Sequence, residues 1–506
     1  AIRNVSGANV ISTQITLGAA SQVQIDSSST LTMSGGFTGA YALEVDSAGT
    51  STISGVIGTS TGTLTKSGAG TLTLSATNTY TGATTVSAGT LTVGNTSALG
   101  GTGGNTSVSS GATLAIGAYS ISEPLSLAGT GVSSAGALDF TAGGTVSGTV
   151  AMSAAATIQV ASSSTATLSG VVSGTGTITK SGAGTLTLSA TNTNSGGVSV
   201  TAGTLSVAAD LNLGAAPGSV SATSITLDGG TLQATSTFTL STNRGITLGA
   251  SHGTIDVSSG ATLTYAGAIA GTSTNLTKTG TGALSLSGAS SYTGSTTVSA
   301  GTLTAGHSTA LGTNAGGTSV TSGATLKITA STSEPLTLAG DGVSSTDGAL
   351  NLPTSNVTVS GTISLSANTT IRVESGITNA SLSGVISGSG NLTKTGAGTL
   401  TLSGTNTYTG TTAVNDGDLD LSNNSGFGAS GASQGTTVAS GASLKVGSSV
   451  TNSAEPLTIA GTGYSGYGAL FFNGGGKFSG TVALSADATI RVVSGTTGEI
   501  SGVISG

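Results

Sequence analysis

The chain has 506 residues, of which 36% are hydrophobic, 6% are charged and none is cysteine, and its net charge is −7. Patterned apolar residues exclude a disordered chain, which would combine low hydrophobicity with high charge. No basic cluster is present, so nucleic acid is not an expected partner. No apolar run approaches the roughly 20 residues of a membrane span.

Short alternating segments begin near the N-terminus and continue to the end of the chain. In Thr71–Leu74 and Thr90–Val93, apolar residues alternate with threonine. This period of two predicts strands with one buried face and one solvent face. Glycine-containing turns separate the segments, and no stretch has useful helical periodicity. The sequence therefore predicts an all-β fold.

One phrase occurs four times with few changes. Its copies are residues 64–91, 178–205, 276–303 and 392–419, and the first reads LTKSGAGTLTLSATNTYTGATTVSAGTL. Three copies are followed by a block such as SEPLSLAGTGVSSAGAL, and the copy at 178 is not. Internal repetition determines the architecture. We predict one continuous solenoid with these parts: the end of a preceding module at 1–63, a module at 64–177, a variant module at 178–275, and modules at 276–391 and 392–506.

Repeated short strands can form either stacked coils or hairpins. Hairpins require paired Asn-Gly or Asp-Gly turns, which are scarce in this chain, whereas stacked strands with an inward apolar column form a solenoid. We predict a right-handed parallel β-helix with coils of roughly 20–25 residues. It would form a single elongated rod with a thin aliphatic interior, which suits the 3% content of aromatic residues.

The phrase GAGTLTLSATNTYTGATTVSAGTL resembles the passenger-associated transport repeat of bacterial autotransporter passenger domains. The resemblance implies export across a Gram-negative envelope and β-helix folding outside the cell, normally ahead of a C-terminal outer-membrane barrel. Passengers of this family include adhesins, aggregation factors, proteases and esterases, so the resemblance leaves the activity open. The second copy departs from the pattern, because Asn194 stands where the others have tyrosine.

Three aspartates form a local anomaly in the fourth copy. Asp416, Asp418 and Asp420 replace alanine and two threonines of the first copy. At a period of two they would share one face, and Ca²⁺ prefers oxygen ligands of this kind. The three residues are a candidate calcium site, but the chain lacks the glycine-aspartate nonapeptide of calcium β-rolls, and a hydrated acidic strip is the simpler interpretation.

Two other residue types recur at one phase of the repeat. Tyr80, Tyr292 and Tyr408 predict a repeated tyrosine surface that either stacks on sugars or packs over the coil edge. A lysine precedes each glycine turn, and we expect these lysines to be solvated charges that discourage lateral strand pairing. The lysines are Lys66, Lys180, Lys278 and Lys394.

Catalysis and cofactors are not expected. The glutamates Glu123, Glu334 and Glu455 recur once per module, too far apart for the paired carboxylates of glycoside hydrolysis, and we expect them to be solvated turn residues. A triad can be written from His252, Asp256 and one of many serines, but a surface histidine is the simpler interpretation.

The predicted function is an extracellular structural or adhesive β-helical rod for the cell surface, a matrix or a filament. Its expected partners are copies of itself, joined end to end or laterally, or cell-surface and matrix components. The alternative is a glycan-binding adhesin or a glycan-acting passenger. Neither end has a polar capping coil or a signal peptide, so the chain is expected to be either a piece of a longer repeat protein or a unit that stacks into a filament.

Overall fold

A computed structural model describes residues 1–429, 434–451 and 453–506. The chain divides into two units, Ala1–Gly253 and Thr254–Gly506. Both consist of short strands, and no α-helix occurs among the described residues. The described residues include three single turns of 3₁₀-helix, at Val132–Ser134, Asp210–Leu213 and Tyr464–Gly466.

Each copy of the repeat contributes four strands. In the first unit they are Leu64–Ser67, Thr71–Leu74, Thr84–Val86 and Gly89–Val93, then Ile178–Ser181, Thr185–Leu188, Val198–Val200 and Thr204–Val207. In the second unit they are Leu276–Thr279, Ala283–Leu286, Thr296–Val298 and Gly301–Ala305, then Leu392–Thr395, Thr399–Leu402, Thr412–Val414 and Asp418–Leu421. Three of the copies are followed by three further strands that recur: Thr106–Val108, Ala112–Ile116 and Leu125–Gly129; Thr318–Val320, Ala324–Ile328 and Leu336–Gly340; and Thr436–Val438, Ser443–Gly447 and Leu457–Gly461.

Every strand pair with a described register is parallel. In the first unit Leu64 pairs with Leu43 on one side and with Thr84 on the other, so one coil takes about 20 residues. In the second unit Leu336 pairs with Thr318, 18 residues earlier, and with Ile363, 27 residues later. The all-β parallel solenoid is therefore confirmed within each unit, with a wider range of coil lengths than predicted. Its handedness and the module boundaries stay predictions.

The core of each unit is a column of aliphatic side chains. Leu72 pairs with Leu91, which pairs with Leu114 and then Leu138, and none of these leucines is exposed. The threonines that alternate with them face outward. Burying one such leucine stabilises the fold by about 2 kcal/mol. The interior also contains aromatic side chains, among them Phe37, Phe140 and Tyr265, so it is not purely aliphatic as the sequence predicts.

Candidate functional site

The four repeated lysines lie inside the solenoid. Lys66, Lys180, Lys278 and Lys394 are each 0% exposed, so the prediction of solvated strand-edge charges is wrong. The physical reason is the parity of the strand: Lys66 is two residues after the buried Leu64 and therefore points to the same side. Burial lowers the pKa of each lysine to about 8.

Backbone carbonyls surround each buried ammonium group. The Nζ atom of Lys278 donates to the carbonyl oxygens of Thr279 at 2.6 Å, Gly280 at 2.7 Å and Ala300 at 3.2 Å. Lys66 makes the corresponding bonds to Ser67, Gly68 and Ala88. Two carbonyls come from the turn beside the lysine and the third comes from the next coil. The lysine therefore joins two coils through an ammonium group with all three donors used.

Glycine makes room for this arrangement. Gly301 follows the carbonyl that Lys278 binds and has φ of +65°, a conformation that side chains rarely adopt. A Cβ atom there would lie 2.3 Å from the carbonyl oxygen of Gly282. In the first copy, a Cβ on Gly89 would also lie 2.7 Å from the Nζ atom of Lys66. The glycine of the SAG turn is thus a steric requirement of the lysine site.

The repeated tyrosines are buried as well. Tyr80, Tyr292 and Tyr408 are 0% exposed, so the repeated tyrosine surface is wrong. The hydroxyl of Tyr292 lies 2.5 Å from Oγ1 of Thr296, and that of Tyr408 lies 2.6 Å from Oγ1 of Thr412. An exposed stacking role is excluded for these three rings. The other interpretation, packing at the coil edge, is closer to what the structure contains.

Each of these threonines begins a buried polar row that ends at a glutamate. Thr296 pairs with Thr318, whose hydroxyl donates to the carboxylate of Glu334 at 2.9 Å. Thr412 pairs with Thr436, which donates to Glu455 at 3.2 Å. We call the tyrosine, the two threonines and the glutamate the Tyr–Thr–Thr–Glu row. Each row crosses several coils in the interior.

The glutamates of the rows are therefore not the solvated turn carboxylates that the sequence predicted. Glu123, Glu334 and Glu455 are at most 4% exposed. Burial raises the pKa of each carboxyl to about 7, and in Glu334 and Glu455 the hydroxyl donor lowers it in part. Burial likewise raises the pKa of the three tyrosines. The proline that follows each glutamate favours an extended backbone at the glutamate.

The second copy lacks the whole row. Asn194 replaces the tyrosine, Val198 replaces the first threonine, and Val198 pairs with Ile225 instead of a second threonine. Val198 and Ile225 need no hydrogen-bonding partner, whereas the side chain of Asn194 is buried with neither its Oδ1 nor its Nδ2 hydrogen-bonded. Within this chain the row is kept or lost as a set.

The sequence analysis did not identify an asparagine that three copies of the repeat share, at Asn78, Asn192 and Asn406. Oδ1 of Asn406 accepts the N–H of Ile386 at 2.8 Å, and its Nδ2 donates to the carbonyl of Gly426 at 2.6 Å. These contacts join the preceding and following coils, 20 residues away in each direction. Asn78 and Asn192 make the same pair of contacts, whereas Ser290 in the third copy accepts one bond. Its recurrence two residues before the tyrosine position was the available signal.

Two of the three aspartates lie in one strand, and the third precedes it. Asp416 precedes the strand Asp418–Leu421, and its carbonyl accepts from Lys394 at 2.8 Å. Asp418 forms an ion pair of 2.6 Å with Lys445. Burial raises the pKa of Asp420. No group of three or more histidine, cysteine, aspartate or glutamate residues that could hold a metal occurs among the described residues. Asp418 and Asp420 are two residues apart in that strand and therefore share one face, whereas Asp416 lies outside it. Ca²⁺ binding stays an untested prediction.

The histidines lie in turns. His252 has φ of +69°, and its carbonyl accepts the N–H of Gly229. Nδ1 of His307 lies 3.2 Å from Oγ1 of Thr309. The carboxylate of Asp256, the other residue of the hypothetical triad, accepts the hydroxyl of Thr279 at 2.9 Å. The contacts of the two histidines lie within turns, whereas the hydrogen bond of Asp256 joins the paired strands Gly253–Val257 and Leu276–Thr279.

The outward faces carry columns of threonine. In one column Thr50 pairs with Thr71, and Thr71 pairs with Thr90. In the other column, two residues further along the same strands, Thr52 pairs with Thr73, and Thr73 pairs with Thr92. Adjacent coils are spaced about 4.8 Å apart in such a sheet. Two parallel columns result, which we call the threonine columns. Their members are Thr30, Thr32, Thr50, Thr52, Thr71, Thr73, Thr90 and Thr92.

A family model of the passenger-associated-transport-repeat matches the chain four times, at residues 64–93, 178–207, 276–305 and 392–421. Each match contains one of the buried lysines, and the repeated tyrosines and asparagines also lie within the matched residues. The chain is an autotransporter passenger domain with passenger-associated transport repeats. The family resemblance seen in the sequence is therefore confirmed.

One curated protein is similar over part of the passenger. The adhesin BmaC autotransporter of Brucella suis biovar 1 (strain 1330) is 39% identical over 113 residues. The matched region is 22% of this chain and 3% of that protein, so the chain spans a small fraction of its relative. No solved structure matches the chain. Among the described residues, no helix is both long and apolar enough for a membrane crossing.

Proposed function

We propose that this passenger is an extracellular adhesive and structural segment, displayed on the surface of a Gram-negative bacterium and acting without catalysis. The observation that carries the proposal is the threonine columns, where hydroxyl groups repeat from coil to coil on an outward face. The similarity to a protein named as an adhesin supports the same role. The repeated lysines, whose pKa values burial lowers, join neighbouring coils in the interior.

Repetition gives such a surface its binding strength. A single hydroxyl contact contributes about 1 kcal/mol at most, but identical contacts on successive coils act together because the first contact raises the effective concentration of the next. Charged residues make up 6% of the chain, so adhesion of this kind depends little on ionic strength. The same low charge supports copies of the chain as a partner, in lateral or end-to-end association within a matrix or filament.

Beads that carry the purified chain test the adhesive role. The beads are allowed to settle on glass, on immobilised matrix proteins and on a layer of the same chain, and the fraction retained under flow is measured at low and high salt. We expect retention well above that of uncoated beads on at least one surface, with little change as salt rises. Retention equal to that of uncoated beads on every surface would contradict the proposal.

Isosteric variants then locate the adhesive face. Replacing Thr32, Thr52, Thr73 and Thr92 with valine removes four hydroxyls of one column while keeping shape and strand propensity. We expect retention to fall several-fold, since each lost hydrogen bond is worth about 1 kcal/mol. The matched control replaces the same four residues with serine and keeps the hydroxyls. Equal retention of the valine and serine variants would show that the hydroxyls of the threonine columns do not contribute to adhesion.

A further inference from the structure

Two aromatic and two cationic side chains form a cluster on the second unit, which we call the cation–aromatic cluster. The ring centroids of Tyr467 and Phe471 are 5.6 Å apart. Nζ of Lys445 lies 5.0 Å from the centroid of Tyr467, and the guanidinium carbon of Arg491 lies 5.7 Å from it and 5.9 Å from the centroid of Phe471. These are cation–π distances.

Strand register brings the cluster together. Lys445 pairs with Phe471, and Phe471 pairs with Arg491, so the three side chains stand in one column across adjacent coils. Their neighbours Leu444 and Leu470 point inward and are 0% exposed. Tyr467 follows the single turn of 3₁₀-helix and covers the column. Phe471 is 6% exposed beneath it, whereas Tyr467 is 40% exposed and offers ring surface to solvent.

Other modules of the chain have the same fold without this cluster. In the first module, the residue after the corresponding 3₁₀ turn is Ala135, where the last module has Tyr467. The corresponding outward columns are Ala115, Asp139 and Gln159 in the first module and Lys327, Asn351 and Arg372 in the third. The solenoid therefore does not require aromatic or cationic residues here, and the last module differs from the others at an outward surface.

One of the two cations in the cluster has a carboxylate partner, and the other has none in the described part of the chain. Lys445 forms its ion pair with Asp418 at 2.6 Å. Arg491 donates to the carbonyl of Gly466 at 3.4 Å, and no ion pair among the described residues includes it. In the third module, by contrast, Arg372 pairs with Glu374 at 3.0 Å. The position of Glu374 is occupied by Val493 in the last module, so the guanidinium of Arg491 keeps donors for an external anion.

We propose that the cation–aromatic cluster binds a carboxylated sugar, such as a uronic or sialic acid residue of an anionic glycan. The exposed ring of Tyr467 provides an apolar platform for the C–H face of a pyranose. The planar guanidinium of Arg491 matches a carboxylate with two parallel hydrogen bonds. The inference rests on the adhesive function proposed above and names a ligand class for it.

Calorimetric titration of the full chain tests this inference with matched sugars. Tetragalacturonate is compared with neutral galactotetraose, and 3′-sialyllactose is compared with lactose. We expect a carboxylated sugar to bind at least tenfold more tightly than its neutral counterpart. Y467A should weaken binding of the carboxylated sugar about tenfold, which corresponds to 1.4 kcal/mol. R491Q should bring carboxylated and neutral sugars to equal affinity.

The fold itself supplies the controls. Y467A and R491Q introduce the residues that the first module has at the corresponding positions, Ala135 and Gln159, so both variants are expected to fold. R372Q, at the paired arginine of the third module, should leave affinity unchanged. The inference is overturned if neither carboxylated sugar binds, if both cluster variants bind like the original chain, or if dextran sulfate binds equally well. Bead retention without sugar binding would reject this inference alone and leave the proposed adhesive function standing.

Discussion

Replacing Glu334 with glutamine tests whether the Tyr–Thr–Thr–Glu rows make stability depend on pH. Glu334 is 1% exposed, and burial raises the pKa of its carboxyl from 4.5 to about 7. Below pH 4.5 the carboxyl is protonated in the folded and the unfolded chain. Between pH 4.5 and 7 the unfolded chain releases the proton while the folded chain keeps it. The free energy of unfolding therefore falls as pH rises through this window.

The size of the effect follows from the pKa difference. A shift of about 2.5 units corresponds to about 3 kcal/mol of lost stability at pH 8. Glutamine does not ionise, and its amide oxygen still accepts the hydroxyl of Thr318. We expect E334Q to match the original chain within about 1 kcal/mol at pH 4 and to exceed its free energy of unfolding by about 2–3 kcal/mol at pH 8.

Urea denaturation at pH 4, 6 and 8, followed by far-UV circular dichroism, measures the difference. Hydrogen exchange in the strand Leu336–Gly340 assigns it to the coil that holds the glutamate. The control is E499Q, because Glu499 is 54% exposed and pairs with Lys477 at the surface. This control should change stability by less than about 1 kcal/mol at each pH. Parallel pH profiles of E334Q and the original chain would refute the reasoning.

Three further substitutions test the contacts that join the coils, each by urea denaturation. K278M leaves three buried carbonyls without their ammonium donor and should lower the free energy of unfolding by about 3 kcal/mol. The control K327M, on the outward face, should change it by less than about 0.5 kcal/mol. Equal effects of the two variants would contradict a stabilising role of the buried lysine. G301A should lower the free energy of unfolding by more than about 3 kcal/mol, because the new Cβ meets a carbonyl oxygen. The control G323A also has positive φ but faces open space, so it should lower the free energy of unfolding by about 1 kcal/mol. Equal losses of stability in the two variants would mean that the carbonyl moves aside. N406A should lower the free energy of unfolding by about 2–4 kcal/mol, because it leaves two buried backbone groups unpaired. N406S should recover part of this stability, because the hydroxyl of Ser290 accepts one of the corresponding hydrogen bonds in the third copy. No recovery in N406S would contradict the equivalence of the serine and the asparagine.

The buried residues show where sequence reasoning stopped. Lys66 follows the buried Leu64 by two residues, and this spacing places the lysine inside. The expectation that a charged side chain is solvated led to the opposite prediction. Tyr408 lies outside a strand, where no alternation indicates which way a side chain points. Glu455 precedes a proline in a similar irregular segment. For these last two residues, local sequence contained no rule that decided burial.

The sequence by itself determined the strands, their repetition and the parallel solenoid, because alternation and turn chemistry are local properties of short segments. Only the tertiary structure decided which polar groups lie inside. The carbonyl that completes the Lys66 site belongs to Ala88, and the hydroxyl that meets Glu455 belongs to Thr436, each about one coil away. A buried polar group is tolerated only where the next coil supplies its partner, and that partner exists once the coils are stacked.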